Sequence, residues 1–226
     1  MSLLTLPVHR GLRVPHVARW TGEEDISPAV IVGAGGILRY AEPIADAACR
    51  WQGALWRRLA RAQGTGEPVF EALHPVRQRT AMWEQQCQVC GQPVAAEAAA
   101  KGGALYLGGT DAASGTQDPM TEGERTENPP LHLACAWESV SHCRHLLEGY
   151  TAARVARPRQ WGVAGVLHSP ARGTVVPVQR TEVPYGSAQL GWMLAERAIV
   201  KLTGVRAVDL ASEAEQAGLR AAGSRR

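Results

Sequence analysis

Phenylalanine is almost missing from this chain, which has one, and lysine occurs only at positions 101 and 201. Set against seven Trp and 24 Gly, this is the bias of a GC-rich coding sequence. The preference for Arg over Lys is therefore weak evidence for any ligand. Also lacking is a run near the ~18 apolar residues that a membrane-spanning helix needs, so no membrane role is expected. The first residues, Met1 to Pro7, carry neither the basic flank nor the apolar core of a secretory signal, and a cytoplasmic location is expected. Cysteine is scarce as well: five residues, at 49, 87, 90, 135 and 143, form an odd set with one tight pair. Such a set suits metal binding in a reducing compartment better than a disulfide framework.

What is present is ordinary for a globular protein. The 226 residues suffice for one good core and a smaller module, with 45% apolar and 20% charged residues. The net charge of +3 conceals an uneven distribution: residues 144–226 hold twelve Lys/Arg against six Asp/Glu, and residues 1–143 twelve against fifteen. A basic C-terminal third could meet an anionic partner, although a solvated surface accounts for the same arginines.

The clearest chemistry is Cys87-Gln-Val-Cys90-Gly91 together with His132-Leu-Ala-Cys135. A structural zinc site takes four thiolate or imidazole ligands at tetrahedral corners. A Cys-x-x-Cys turn supplies two of them, because bending the chain back after two residues points both sulfurs inward, and Gly91 permits the bend. His132 and Cys135, three apart at a helix start, share one face and close the set. Cys143 and His145 lie eight and ten residues beyond Cys135, about 12–15 Å along a continuous helix, too far to join it.

Around this pair of motifs the periodicities give an α+β fold. Three segments are expected: a strand and helix segment over 1–73, a zinc-binding module over 74–150 and a second strand and helix segment over 151–222, with a disordered tail at 223–226. Loose alternation over 3–19 suggests short strands, and Pro28 to Tyr40 reads as a hairpin turning on Gly33, Gly35 and Gly36. The spacing lacks the third glycine of a dinucleotide fingerprint and is followed by strand, not helix. A first helix is predicted over 43–62 from Ile44, Ala48, Trp51, Leu55 and Leu59, with Trp56, Arg57, Arg58 and Arg61 on its outer side. Cys49 at the edge of that stripe reads as a packed side chain.

A second helix is predicted over 74–86, with His74 at its start, and a strand over Ala104–Leu107. Residues 108–130, polar and rich in Gly, Thr, Asp, Glu and Pro, read as a flexible loop. A third helix covers 133–148, with Cys143 on its apolar face and His142 and His145 on its polar side. Strands follow at 151–157, 161–168 and 174–183, the last two joined by a turn at 169–173. A Ser187-capped helix to Leu202 and a last helix over 211–222 complete the chain.

The order Cys-x-x-Cys-Gly, strand, returning segment and second ligand pair at a helix start resembles the treble-clef zinc fingers over roughly residues 85–150, with 108–130 as an insertion. More widely, His74-Pro-Val-Arg-Gln-Arg79, the Cys87 motif, Pro129-Pro-Leu-His132-Leu-Ala-Cys135 and Cys143-Arg-His-Leu146 resemble a group of uncharacterised actinobacterial proteins. In those a Cys-x-x-Cys pair usually stands at the positions of His132 and Cys135, and the departure to His132 makes that ligand the one to test. The resemblance implies a bound Zn2+ but no activity.

Functionally, these features point to a zinc-binding protein without catalysis, contacting nucleic acid or an acidic protein through Arg154, Arg157, Arg159, Arg172 and Arg180. The alternative of a His-Asn-His endonuclease on a treble-clef frame needs a His on the first hairpin strand, and Ala104–Leu107 has none, leaving His142 or His145 on the helix. A small-molecule enzyme using Gly33–Gly36 or His9, His16 and His168 is the third reading.

Overall fold

A computed structural model describes residues 7–109, 120–171 and 173–219. In chain order the elements begin β1 (Val8–His9), β2 (Leu12–Arg13), β3 (Ala18–Trp20), β4 (Val30–Val32), β5 (Leu38–Tyr40), α1 (Pro43–Cys49), β6 (Arg50–Trp51), β7 (Ala54–Trp56), β8 (Pro68–Leu73) and α2 (Pro75–Glu84). There follow α3 (Ala95–Lys101), β9 (Ala104–Gly109), β10 (Arg125–Thr126), α4 (Leu133–His142), α5 (Arg144–Leu147) and β11 (Tyr150–Val155). Last come β12 (Arg159–Ala171), β13 (Thr174–Pro184), a 3-10 turn (Ala188–Trp192), β14 (Met193–Lys201), β15 (Val205–Ala207) and α6 (Leu210–Gln216). This is an α+β fold. It divides into two compact units, each built from discontinuous segments: Met1–Val17, Thr80–Arg159 and Val200–Arg226 in the first, Ala18–Arg79 and Gln160–Ile199 in the second.

In the first unit, β9, β11 and β15 form an antiparallel sheet in the order β15-β11-β9, with Ala153 opposite Tyr106. Leu131 bridges to Leu105, its N–H donating to the Leu105 carbonyl at 2.8 Å, so the chain is tied to β9 just before α4 begins. Its core includes Leu105, Tyr106, Leu131, Ala136, Ala153, Val155, Leu210 and Ala214, which have at most 1% of their surface exposed. Of the loop expected over 108–130, residues 110–119 lie outside the described residues, but the remainder is anchored. Met120 is buried, β10 pairs with Val200 and Lys201, and the Glu122 carboxylate accepts the N–H groups of Gly204 and Val205 at 2.8 and 3.1 Å.

In the second unit the main sheet runs β13-β12-β14-β7-β6, with the β4–β5 hairpin and the long-range antiparallel pair β3–β8 separate from it. Leu38, Tyr40, Ala45, Leu55 and Leu194 pack as one cluster. The turn between β4 and β5 uses Gly35 and Gly36 at φ +81° and +67°, as the hairpin reading requires, and strand rather than helix follows. Nothing there presents a helix N-terminus to a pyrophosphate.

Two predicted helices are largely replaced by strand. The one expected over 43–62 ends at Cys49; Gln52 and Gly53, both at positive φ, then make a two-residue turn that pairs Trp51 with Ala54. That backbone is a hairpin turn, and Ala54, Leu55 and Trp56 are consecutively buried in β7 as a strand covered on both faces would be. Ile44, assigned to the core face, is 87% exposed. The second is the Ser187-capped helix. Ser187 does accept the Gln189 N–H at 3.2 Å, but only one 3-10 turn follows before β14. β14 lies between β12 and β7, and Gly165 of β12 comes so close that an added Cβ would sit 2.1 Å from the Leu194 carbonyl. Sheet pairing outweighs the helical spacing of Leu190, Leu194 and Ala198.

The helix expected over 133–148 is real but breaks at Cys143, which adopts extended backbone at φ −78°, ψ 118°. Helix α6 begins at Leu210, capped by Asp209, whose carboxylate accepts the Ala211 and Ser212 N–H groups. The expected tail at 223–226 lies outside the described residues.

Candidate metal centre

The Cys87–Cys90 turn owes its shape to hydrogen bonds on both sides. Helix α2 stops at Glu84, Gln85 takes φ +52°, and Gln86 forms an antiparallel bridge with Pro93. Within that bridge the Cys87 N–H donates to the Gln92 carbonyl and the Gly91 N–H to the Cys87 carbonyl, each at 2.8 Å. Gly91 sits at φ +71°, and an added Cβ would lie 2.9 Å from the His16 ring. Two further contacts hold the tip: the His16 N–H donates to the Val89 carbonyl at 2.9 Å, and the Gln88 N–H to the Pro130 carbonyl at 2.9 Å. The second bond ties the turn to the segment that delivers His132.

His132 is the N-cap of α4, in extended conformation, with Cys135 in the first turn. Its side chain caps nothing, because it is turned toward the thiols; the Leu133 N–H is capped instead by the Glu97 carboxylate of α3, at 3.0 and 3.1 Å. A thiolate in that first turn gains from the positive end of the helix dipole.

The four ligand atoms of Cys87, Cys90, His132 and Cys135 lie within 4.8 Å of one another. The edges of a tetrahedron with zinc–sulfur bonds of ~2.3 Å are ~3.8 Å, so the spacing suits one ion. Cys87 and Cys135 are buried, while Cys90 and His132 are partly covered. The Cys90 sulfur lies 3.2 Å from Nδ1 of His132, and Nε2 lies 3.2 Å from the Pro93 carbonyl. The Pro93 carbonyl can only accept, so a proton sits on Nε2, and Nδ1 is the nitrogen that faces the sulfurs and could bind a metal. The His132 backbone N–H also points at the Cys87 sulfur, at 3.5 Å.

The crowding of these groups shifts their titration. The Cys90 thiol is pushed far above its ordinary range, first by its hydrogen bond to Cys87 and then by burial. His132 is raised to about 9, chiefly through its hydrogen bond to Cys87. Thiols this close resist ionising together, and a divalent cation reverses the preference by binding them as thiolates. The donor set fits zinc: three sulfurs and one imidazole fill four corners and leave none for water or substrate.

Glu97 is a residue beside the cluster that the motif reading passes over. It is the one acidic residue of an alanine-rich helix, and only the fold sets it at the start of α4. There it also meets Arg154. The Arg154 guanidinium, expected to contact a partner, is fully buried and donates to Glu97 Oε1 at 3.0 Å and to Glu213 Oε2 at 2.6 Å. It has no surface to offer, and that expectation is corrected: its charge serves the core.

Arg157 and Arg159 are exposed on the first unit; Arg180 is exposed on the second and paired with Glu196. Arg172 lies outside the described residues. His142 is exposed with Nδ1 2.8 Å from the Glu138 carbonyl, His145 is exposed, and Cys143 is partly covered at the break between α4 and α5. His74 and His168 are buried, the latter with Nδ1 3.0 Å from the Val166 carbonyl and lowered by burial. Trp56, placed on an outer helix face by its spacing, is 1% exposed. Among the described residues, no other group of three or more His, Cys, Asp or Glu converges as the four ligands do.

No protein-family model matches the chain, and neither the curated proteins nor the solved structures contain one similar to it.

Proposed function

We propose that this is a zinc-binding protein without catalytic activity of its own, in which the metal is a structural clasp within the first unit. The observation that carries the reading is the completeness of the ligand set: Cys87, Cys90, His132 and Cys135 fill four positions, and the imidazole is oriented by the Pro93 carbonyl. A catalytic zinc keeps one position open for water or substrate. Bound there, the ion would join the turn after α2 to the start of α4.

The order of elements supports a treble-clef arrangement. A metal-binding turn is followed by β9, by a returning segment bridged to it at Leu131, and by a helix carrying the second ligand pair. Helix α3, between the turn and β9, would be an addition to that plan. The endonuclease alternative gains less support, since neither His142 nor His145 belongs to a second cluster of metal ligands among the described residues.

A partner would be anionic, a nucleic acid or an acidic protein surface, contacting the exposed Arg157 and Arg159, with Arg180 a further contact. Such binding would weaken steeply between about 50 and 200 mM salt.

The test is metal analysis of the purified chain. One zinc per chain is expected, lost in Cys87→Ser together with cooperative unfolding of the first unit. Full zinc content in Cys87→Ser, or an unchanged melting transition after complete chelation, would refute the structural role.

A further inference from the structure

In the second unit, Arg79 holds a cation that no carboxylate among the described residues answers. Its guanidinium carbon lies 5.0 Å over the ring of Trp51 and 4.7 Å over that of Trp56. Ring faces accommodate a cation, but they accept none of the five N–H donors of the planar fork. Among the described residues Arg79 has no carboxylate and no hydrogen-bond acceptor, although it is more than half covered. Two further donors share its surroundings. The indole Nε1 of Trp56 and the hydroxyl of Tyr185 are both buried without a partner. Tyr185 is close enough to feel the charge: burial pushes its phenol up to about 12 while Arg79 pulls it down. The Cys49 thiol, raised by burial, is opposed by Arg58 and Arg79 in the same way.

The neighbourhood therefore has donors in excess and acceptors in deficit. The one carboxylate that acts on Cys49 is Asp46, and it is already spent. Its oxygens accept from Arg39 and Arg50 and from the Tyr40 N–H at 3.0 Å. Buried donors in native proteins are ordinarily satisfied, and one group that could satisfy several at once while balancing a guanidinium is an oxyanion. Trp51 is 37% exposed and Arg79 is itself partly exposed, so the cluster reaches the surface.

We propose that Arg79, with Trp51, Trp56 and Tyr185 around it, anchors a binding site for a small molecule bearing a phosphate or carboxylate group. The two chemistries share what the site supplies, a planar cation with N–H donors beside it. The site is independent of the metal centre.

Its test uses the zinc-loaded full chain, labelled with nitrogen-15, and follows the indole N–H resonances during titration with inorganic phosphate and, separately, acetate at constant ionic strength. The Trp56 resonance, identified by its loss in Trp56→Phe, is expected to shift saturably with at least one of the two. Tighter binding of phosphate would identify a phosphoryl ligand, and tighter binding of acetate a carboxylate. Arg79→Lys keeps the charge but not the fork and should weaken binding about tenfold, and Arg79→Gln should abolish it. The proposal is overturned if the resonance is unmoved by either anion up to about 50 mM, well above a millimolar dissociation constant. It is equally overturned if chloride alone produces the same shift or if Arg79→Gln responds as the wild type does. The wild-type titration decides the matter even where a variant fails to fold.

Discussion

Replacing Arg154 by methionine isolates the electrostatics of the core that supports the metal centre. Methionine retains much of the aliphatic stem, so little cavity is created and the loss falls on the guanidinium contacts. Those are bonds to Glu213 Oε2 from Nη2 at 2.6 Å and from Nε at 3.2 Å, and one to Glu97 Oε1 from Nη1 at 3.0 Å. Removing one partner of a buried ion pair costs about 3–5 kcal/mol, mostly because the other charge is stranded. The side chains of Glu97 and Glu213 are 25% and 15% exposed, so water reaches them in part and the cost should be lower. A loss of about 2–4 kcal/mol is expected, or roughly 5–15 °C in melting temperature for a chain of this size. Urea unfolding of the zinc-loaded protein at neutral pH, followed by tryptophan fluorescence, measures it. Adding Glu97→Gln and Glu213→Leu to the variant should recover most of the loss, since the carboxylates are then no longer stranded. A loss below about 0.5 kcal/mol with an unchanged denaturant slope would refute the assignment of Arg154 to the core.

Gly91→Ala forces a side chain into the left-handed region at φ +71° and toward the His16 ring, 2.9 Å from the added carbon. About 1–2 kcal/mol of stability should be lost, along with zinc affinity in competition against a chelator; affinity equal to wild type would show that the turn does not need the glycine. His74 is lowered to about 4, first by burial and then by the Arg77 charge, with Glu23 opposing. Because the folded state binds this proton less readily than the unfolded chain, its contribution is complete above about pH 6.5 and is lost as pH falls toward 4. Over that interval wild type should lose on the order of 3 kcal/mol more than His74→Gln. Taking the difference between the two removes the acid sensitivity of the proposed zinc site. Parallel stability curves would show that His74 is not buried in its neutral form.

The cluster of Cys87, Cys90, His132 and Cys135 is legible in the sequence because both pairs are local. A spacing of two intervening residues fixes which sulfurs share a turn, and the helix start fixes which face His132 and Cys135 share. The hairpin at Gly33–Gly36 is legible for the same reason. Sequence spacing fails where long-range pairing overrides it. Met193 to Lys201 has an adequate helical stripe, yet it is claimed as a strand by partners distant in sequence, in β12, β7 and β10. The Gln52-Gly53 pair carries a turn signal that the apolar stripe of 43–62 obscures. Glu97 and Arg154 could not have been joined by inspection: they stand 57 positions apart, and neither lies in a motif. A count of arginines also misleads, since it cannot separate Arg154, committed to carboxylates inside, from Arg157 on the surface.

The side chain of Gln78 reaches β14 and completes both hydrogen bonds of one residue there: its Nε2 donates to the Ala198 carbonyl and its Oε1 accepts the Ala198 N–H, each at 2.9 Å. A primary amide is a peptide group carried at the end of a stem, so this glutamine stands in for one residue of a strand that the sheet lacks. Glutamate would return only an acceptor, and asparagine would stop a methylene short. A single helix-borne residue thereby completes the backbone pairing of β14 at Ala198, where no strand residue does so.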